Sequence, residues 1–562
     1  MGRLRWLARG WSLVALVLFA ALAFVVGVPQ GPEGTLISGP LQTQIQIVLL
    51  GVTAVGVLVA WRWETLGGAV MVLAAAGMGV FAAFEYRPEA AVLPFLAFLL
   101  PGLVFLLGGL RPRPWPWAAI AAALLGAVVV ASGVAAQEVY DRAFGPAHPQ
   151  SALAERPVDR VEWAWSGALT PTGAVVTAGL DEPGDARLVV SPVGDLSQRR
   201  RTFEPALLVE DGEVLRFDLT GLRPRTPYFY AVEVDGRLDR TRIGRLRTPA
   251  RGADSFTLAL GGCARTDSNG AVFDAIRGLD PLMYLMLGDV HYADIGGNDP
   301  GRFRAELDRM LTRPAQQALY LSTPVAYVWD DHDFGADDAD GTSASRPAAQ
   351  AVYREYVPHY PLPAGAREGP IYQAFTLGRV RVILTDGRSE RTPASATDDA
   401  TKTMLGHAQK AWLKRELLAA RDRYPLTLLV TSVPWIGPDG DGAEGWGEYA
   451  TERRELSRFI ADNSIENVVM LAGDAHMVAF DDGSNSDYSG TGRAAVPVLH
   501  GAALDRPGKV KGGPYSHGAY PGAGQFGTVA VRDDGQAMDV TLRGLDWTGR
   551  VVVEQRLRLP SP

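Results

Sequence analysis

Four short stretches bring acidic, thiol, phenol and imidazole groups together beside glycine: Gly262-Cys263-Ala264-Arg265, Gly288-Asp289-Val290-His291-Tyr292-Ala293-Asp294, Trp329-Asp330-Asp331-His332-Asp333-Phe334-Gly335 and Gly473-Asp474-Ala475-His476. Each follows an apolar run, so its polar groups emerge where a buried strand ends. Taken singly they are ambiguous. Gly-Asp is often a turn, Asp-x-His is as often a hydrogen-bonded structural pair, and a lone thiol such as Cys263 ordinarily reads as a small core residue. Asp-Asp-His-Asp is sharper, because carboxylates packed around an imidazole repel one another unless a cation relieves them. Together, at the ends of strands of one α/β segment, the four stretches point to a single metal site.

The elements that must position them follow from hydrophobic patterning after Ser255. Strands are expected at Phe256 to Gly261, Leu282 to Leu287, Val325 to Trp329, Arg379 to Thr385, Leu426 to Thr431 and Val468 to Leu471. Helices are expected at Gly270 to Gly278, Arg302 to Thr312, His407 to Arg421 and Glu452 to Asn463. Alternation of this kind implies a layered α/β architecture with functional loops at the carboxyl ends of the strands. Thr528 to Leu559 returns to strand-like alternation and is expected to close a sheet edge. The glycine- and aromatic-rich stretches Pro434 to Tyr449 and Gly512 to Phe526 read as long loops over the strand ends, with Trp435, Trp446 and Tyr515 lining an entrance or packing at the surface.

Upstream, from Val158 to about Thr248, short alternating segments split by turn signals suit a small antiparallel β-sandwich. The stretch Leu219 to Tyr230 resembles the corner of a fibronectin type III-like domain. Further upstream, five runs approach the roughly 20 apolar residues that cross a bilayer as a helix: Trp11 to Val28, Thr43 to Trp61, Leu66 to Phe84, Ala90 to Leu110 and Trp117 to Ala136. Arg3, Arg5, Arg9, Arg62, Arg111 and Arg113 fall on one side of these runs and only Arg87 on the other. The positive-inside rule then places the N-terminus in the cytoplasm and everything after the fifth run outside. With no ionisable residue inside the runs, they offer no usual ion path and read as an anchor. A cleaved signal peptide is disfavoured, since four more runs follow the first.

The formal net charge of -8, with Arg199 to Arg201 as the longest basic run, argues against a general nucleic-acid binder. A single cysteine excludes an intrachain disulfide. The expected organisation is therefore an α-helical membrane bundle over residues 1–140, a fibronectin type III-like sandwich over 156–250 and a layered α/β domain over 254–562.

The order of the four stretches resembles the PhoD-like family of alkaline phosphatases and phosphodiesterases, within the calcineurin-like and purple acid phosphatase-like metallophosphoesterases. Thr385-Asp386-Gly387-Arg388, Leu405 to Leu413 and Thr431 to Trp435 extend the likeness, which runs from about Val158 to the C-terminus. The resemblance implies a dinuclear or trinuclear site holding Fe3+ with Ca2+. Cys263 and Tyr292 would be deprotonated ligands of one ion, Asp289 would bridge to the next and His476 would complete the first set. Asp474, Asp331 and an acid of the Asp337-Asp338 pair, with Asp337 taken as the donor, would serve the calcium side. The chain departs from the family in carrying Ala336-Asp337-Asp338 where asparagine is frequent, and Ser432 where dinuclear relatives outside the PhoD group place a histidine.

The same likeness implies hydrolysis of phosphate monoesters or diesters. His332 is then a candidate for phosphate contact or proton donation, Arg388 for a bidentate phosphoryl clamp and Arg265 for a weaker contact of that kind. Competing expectations are a phospholipase D-like or wall-polymer phosphodiesterase favoured by the nearby bilayer, and a non-catalytic membrane sensor that keeps the fold. The sequence leaves the oligomeric state open.

Overall fold

The computed structural model describes residues 6–15, 41–85, 98–106, 157–209, 213–264, 270–365, 368–440, 444–502, 504, 506 and 510–560. The chain divides into two compact units, Met1–Arg142 and Ala143–Pro562.

In the first unit the described helices are residues 6–15, Leu41–Arg62, Glu64–Glu85 and 98–106. The two long helices meet closely because Gly67 has no side chain: a Cβ there would lie 2.1 Å from the Ala60 nitrogen. Arg9 donates to Glu64 at 3.2 Å. Among the described residues no helix is long and apolar enough to cross a membrane. Of the five expected runs, Trp117 to Ala136 lies outside the described residues, and the first and fourth lie there in part.

The second unit is built on two large sheets. The ten-stranded sheet runs in the order Val551–Pro560, Ala537–Asp546, Gln525–Asp533, Phe256–Gly261, Met283–Met286, Val325–Tyr327, Val161–Thr170, Gly173–Leu180, Val214–Leu219 and Leu207–Val209. The seven-stranded sheet runs Gln373–Leu377, Val380–Leu384, Leu426–Thr431, Val468–Ala472, Val498–Ala502, Met477–Asp481 and Ala519–Pro521. At the centre of each, strands are parallel: Leu258 pairs with Met283 and Tyr284 with Val325 in the first sheet, Val380 with Leu426, Thr427 with Val468 and Met470 with Val498 in the second. These strands are buried along most of their length, and Leu426–Thr431 along all of it, because both faces of each sheet are covered.

Between the sheets, Leu258, Leu260, Leu285 and Leu287 share one core with Val382, Leu428, Val430 and Leu471. The outer face of the ten-stranded sheet is covered by Gly270–Gly278, Pro300–Thr312, Pro314–Ser322 and Arg346–Tyr356, through Phe273, Leu307, Leu319 and Tyr353. Gly406–Arg421 and Ala450–Asp462 cover the seven-stranded sheet through Trp412, Leu413, Leu456 and Ile460. The result is the layered α/β architecture expected from the sequence, and the last three strands close a sheet edge as anticipated.

The expected boundary between a sandwich and a catalytic domain is not a boundary between sheets. Strand Val161–Thr170 pairs antiparallel with Gly173–Leu180 on one side and parallel with Val325–Tyr327 on the other, through Gly167 and Val325. Half of the anticipated sandwich thus continues the ten-stranded sheet. Its other half, a five-stranded sheet holding Ala186–Ser191 and Pro227–Val234, packs Leu188, Val190, Tyr230 and Val232 into the same continuous core. Trp163 and Trp165 reach further, donating from their indole nitrogens to Asp308 (2.8 Å) and to the Tyr356 carbonyl (2.9 Å). Both partners lie on helices of the following segment, so the two segments fold as one body.

Candidate metal centre

Every parallel strand near the middle of the two sheets ends on the same side, and the polar groups past those ends converge. Phe256–Gly261 leads to Cys263, Met283–Met286 to Asp289, Val325–Tyr327 to Asp330 and Asp331, and Val468–Ala472 to Asp474 and His476. The chain must turn sharply to aim these side chains inward. Cys263, Asp289, Asp474 and His476 all adopt left-handed backbone, with φ of 60°, 52°, 60° and 47°. Such conformations cost non-glycine residues roughly 1–3 kcal/mol each and persist where the surroundings enforce them, typically at functional sites.

The enforcing contacts are visible. Asp333 accepts from the backbone nitrogens of Asp289 (2.6 Å), Val290 (2.7 Å) and Asp330 (3.1 Å), tying two strand ends together. Cys263 and Ala264 donate from their backbone nitrogens to the carbonyls of Gly288 and Asp289, at 3.1 and 2.8 Å. Gly288 is required there: its φ is +98°, and a Cβ would lie 2.6 Å from that of Asp330.

Asp289 is the hub. The Cys263 sulfur lies 3.7 Å from its Oδ2, and the Tyr292 phenol donates to the same oxygen at 3.1 Å while lying 3.3 Å from His476 Nε2. Three groups of cation-sized spacing share Asp289: with Cys263 and His476, with Asp331 and His332, and with Asp330 and Asp474. A fourth joins Asp331, Asp338 and Glu444. The residue types divide accordingly, with sulfur, phenol and the His476 imidazole on one side of Asp289 and carboxylates, joined by the His332 imidazole, on the other.

Electrostatics shows what the cluster is built to hold. Burial, then Asp331 and Asp330, pushes the Asp289 carboxyl well above the carboxylate range. Burial raises the Cys263 thiol, and Asp289 and Asp474 add to the effect. Asp330 is raised to about 6 by burial, against the pull of Arg388. Glu444 rises to about 8 through burial and the Asp474 charge, while His476 falls to about 3 through burial and Lys511. Anions crowded this way oppose their own ionisation unless cations join them. Among the described residues, buried Asp289 Oδ1 and Asp330 Oδ2 also have no hydrogen-bond partner. Unspent oxygens, a buried thiol and a neutral imidazole are the donors a hard ion beside a softer position would take, so the residues fit a multinuclear metal site.

Two basic side chains belong to the cluster. Arg388, expected to clamp a phosphoryl group, is 0% exposed. It donates to Asp330 Oδ1 (2.6 Å), Asp331 Oδ1 (3.3 Å) and the Ala339 carbonyl (3.2 Å), which leaves no face for a substrate. Burial raises the Asp331 carboxyl, yet Arg388, His332 and the Asp338 N–H together bring it down to about 2. Lys511, which the sequence did not single out, lies 3.1 Å from Asp474 Oδ1 and 3.5 Å from Glu444 Oε2.

Asp337, taken from the sequence as a donor, is not among the groups of metal-ligand spacing. Its side chain is 77% exposed and sits 3.5 Å from His332 Nε2, whereas the neighbouring Asp338 faces Asp331 and Glu444. A left-handed turn at Asp338 (φ 60°) and its N–H bond to Asp331 Oδ2 (2.7 Å) select it over Asp337. His332 is where expected, its Nδ1 bonded to Asp294 and its Nε2 3.9 Å from Asp331. Arg265 lies outside the described residues. Trp435 and Trp446 do not line an entrance: both are buried in the core beneath the loop, in edge-on contact at 5.1 Å. Sequence reasoning missed Glu444 and Lys511 because no motif surrounds them; each reaches the site from a long loop.

Comparison with known proteins agrees with this geometry. Residues 259–503 match the PhoD-like phosphatase family. That PhoD-like segment spans all four strand-end stretches. Alkaline phosphatase D of Bacillus subtilis (strain 168) is 24% identical over 305 residues, covering 46% of this chain and 52% of that protein. The chain thus spans about half the length of this curated relative. The solved structure of PhoD aligns with 70% of this chain and 92% of its own, at a TM-score of 0.57 and 16% identity, which shows a shared fold. Residues 1–116 match a domain of unknown function, DUF7670.

Proposed function

We propose that the chain is a metal-dependent hydrolase of phosphate monoesters, diesters or both. One observation carries this reading: Asp289 is shared by three groups of metal-ligand spacing at convergent strand ends, inside the segment that matches PhoD-like phosphatases. Cys263, Tyr292, Asp289 and His476 would hold Fe3+, and Asp289, Asp331 and Asp474 with Asp338 and Glu444 would hold Ca2+ in an oxygen-rich setting. Bound there, such ions supply Lewis acidity and an activated water. His332 has the geometry for proton donation, because Asp294 accepts from Nδ1 and so directs Nε2 toward the acidic cluster. Arg388 holds Asp330 and Asp331 in place from behind.

Turnover of chromogenic mono- and diesters by the purified chain, assayed before and after chelation and metal return, tests the proposal. Activity lost on chelation and restored by metal supports it; full activity in metal-stripped protein refutes it. Preference for a lipid or wall-polymer diester would select the phosphodiesterase variant, and metal binding without turnover of any ester would select the non-catalytic sensor.

The first unit is proposed to attach the enzyme to a bilayer, with the N-terminus cytoplasmic and the catalytic unit outside. Support comes from the arginine asymmetry in the sequence and from exposed apolar side chains on the described helices, including Leu58 at 68% and Leu73 at 66%. Protease added to cells with permeable outer layers should then clip the chain after Ala136. Complete protection would reverse the orientation.

A further inference from the structure

A phosphoryl group needs a cation with unspent donors beside the metal cluster, and the basic residues so far described are spent. Arg388 is committed to Asp330, Asp331 and Ala339, and Lys511 to Asp474 and Glu444. Arg506 differs. Its guanidinium carbon lies 4.2 Å from the ring centroid of Tyr292, the phenol that bonds Asp289 and touches His476. Among the described residues Arg506 makes no hydrogen bond or ion pair, and it is half-buried. The chain just before it is firmly held: buried Leu504 donates from its nitrogen to the Gly262 carbonyl at 3.1 Å and accepts from Gly524 at 3.0 Å.

A guanidinium held over an aromatic face by the ring quadrupole keeps its N–H donors for other partners. We propose that Arg506 is the phosphoryl-recognition residue, gripping two non-bridging oxygens of a phosphate ester whose phosphorus sits over the Asp289 cluster. This rests on the hydrolase reading above. It assigns to Arg506 the clamp that the sequence suggested for Arg388. The planar fork matches two phosphoryl oxygens, which a lysine at the same place cannot do.

The test uses the full chain loaded with metal, as wild type, Arg506→Met and Arg506→Lys. KM and kcat are measured on chromogenic esters, the inhibition constant is measured for inorganic phosphate, and metal content is measured on the same samples. Loss of a charge-assisted bidentate contact should raise KM and the phosphate inhibition constant about tenfold or more in Arg506→Met. Metal content should be unchanged, kcat should change less, and Arg506→Lys should recover only part of the loss. Unchanged KM and phosphate inhibition in an active Arg506→Met protein overturns the proposal and leaves the hydrolase reading standing. A fall in metal content also overturns it, since Arg506 would then act by supporting Tyr292. Should the wild type turn over no ester, the hydrolase reading fails, and calorimetric phosphate binding judges Arg506 alone. Weaker binding in Arg506→Met then supports recognition of the anion, and equal or absent binding in both proteins refutes it.

Discussion

Cys263→Ala and Asp289→Asn are each expected to lower ester turnover at least about a thousandfold and to remove metal from the purified protein, because the ions carry several kcal/mol of the catalysis. The two losses have different origins. Cys263→Ala deletes the one sulfur, so the position beside Tyr292 and His476 loses a ligand while the carboxylate side keeps all of its own. Asp289→Asn weakens the residue that three groups share and should deplete both sides. Metal analysis and turnover on the same preparations check this. Full metal content and activity in both variants would remove the site assignment.

Arg388→Met should destabilise the folded protein by about 3–5 kcal/mol, the usual cost of breaking a buried ion pair from one side. The guanidinium sits between Asp330 and Asp331 with no exposed surface, and its removal leaves two buried carboxylates facing each other. Denaturant titration measures the effect. Adding Asp330→Asn should recover part of the loss, since it removes one of the stranded charges. A phosphoryl clamp behaves differently: its loss raises KM and spares stability. Unchanged stability with a raised KM would return Arg388 to the role first expected of it.

Much of the second unit was legible because its signals are local. Phe256–Gly261 and Leu426–Thr431 are apolar runs bounded by turn residues or polar motifs, and Gly270–Gly278 is a short amphipathic stretch. The helices Pro314–Ser322 and Arg346–Tyr356 went unread, although proline in the first turn of each is a start signal. The joining of Val161–Thr170 to Val325–Tyr327 could not be read, because it pairs strands far apart in sequence and leaves no local mark.

The same divide runs through the site. Cys263, Asp289, Asp331, Asp474 and His476 stand in motifs at strand ends, where position follows from the strand. Arg388 also stands in a motif, but only tertiary packing decides that it points inward at carboxylates and not outward at solvent. Asp337 and Asp338 have the same chemistry, and the choice between them rests on one backbone turn. Glu444, Arg506 and Lys511 arrive on loops whose course no periodicity describes.

The most direct test of the central claim is X-ray absorption at the metal edge of the full chain, wild type beside Cys263→Ser. A sulfur bound to the ion in the wild type, replaced by oxygen or nitrogen in the variant, is the predicted result. An ion surrounded only by oxygen and nitrogen in the wild type would contradict a centre built around Cys263.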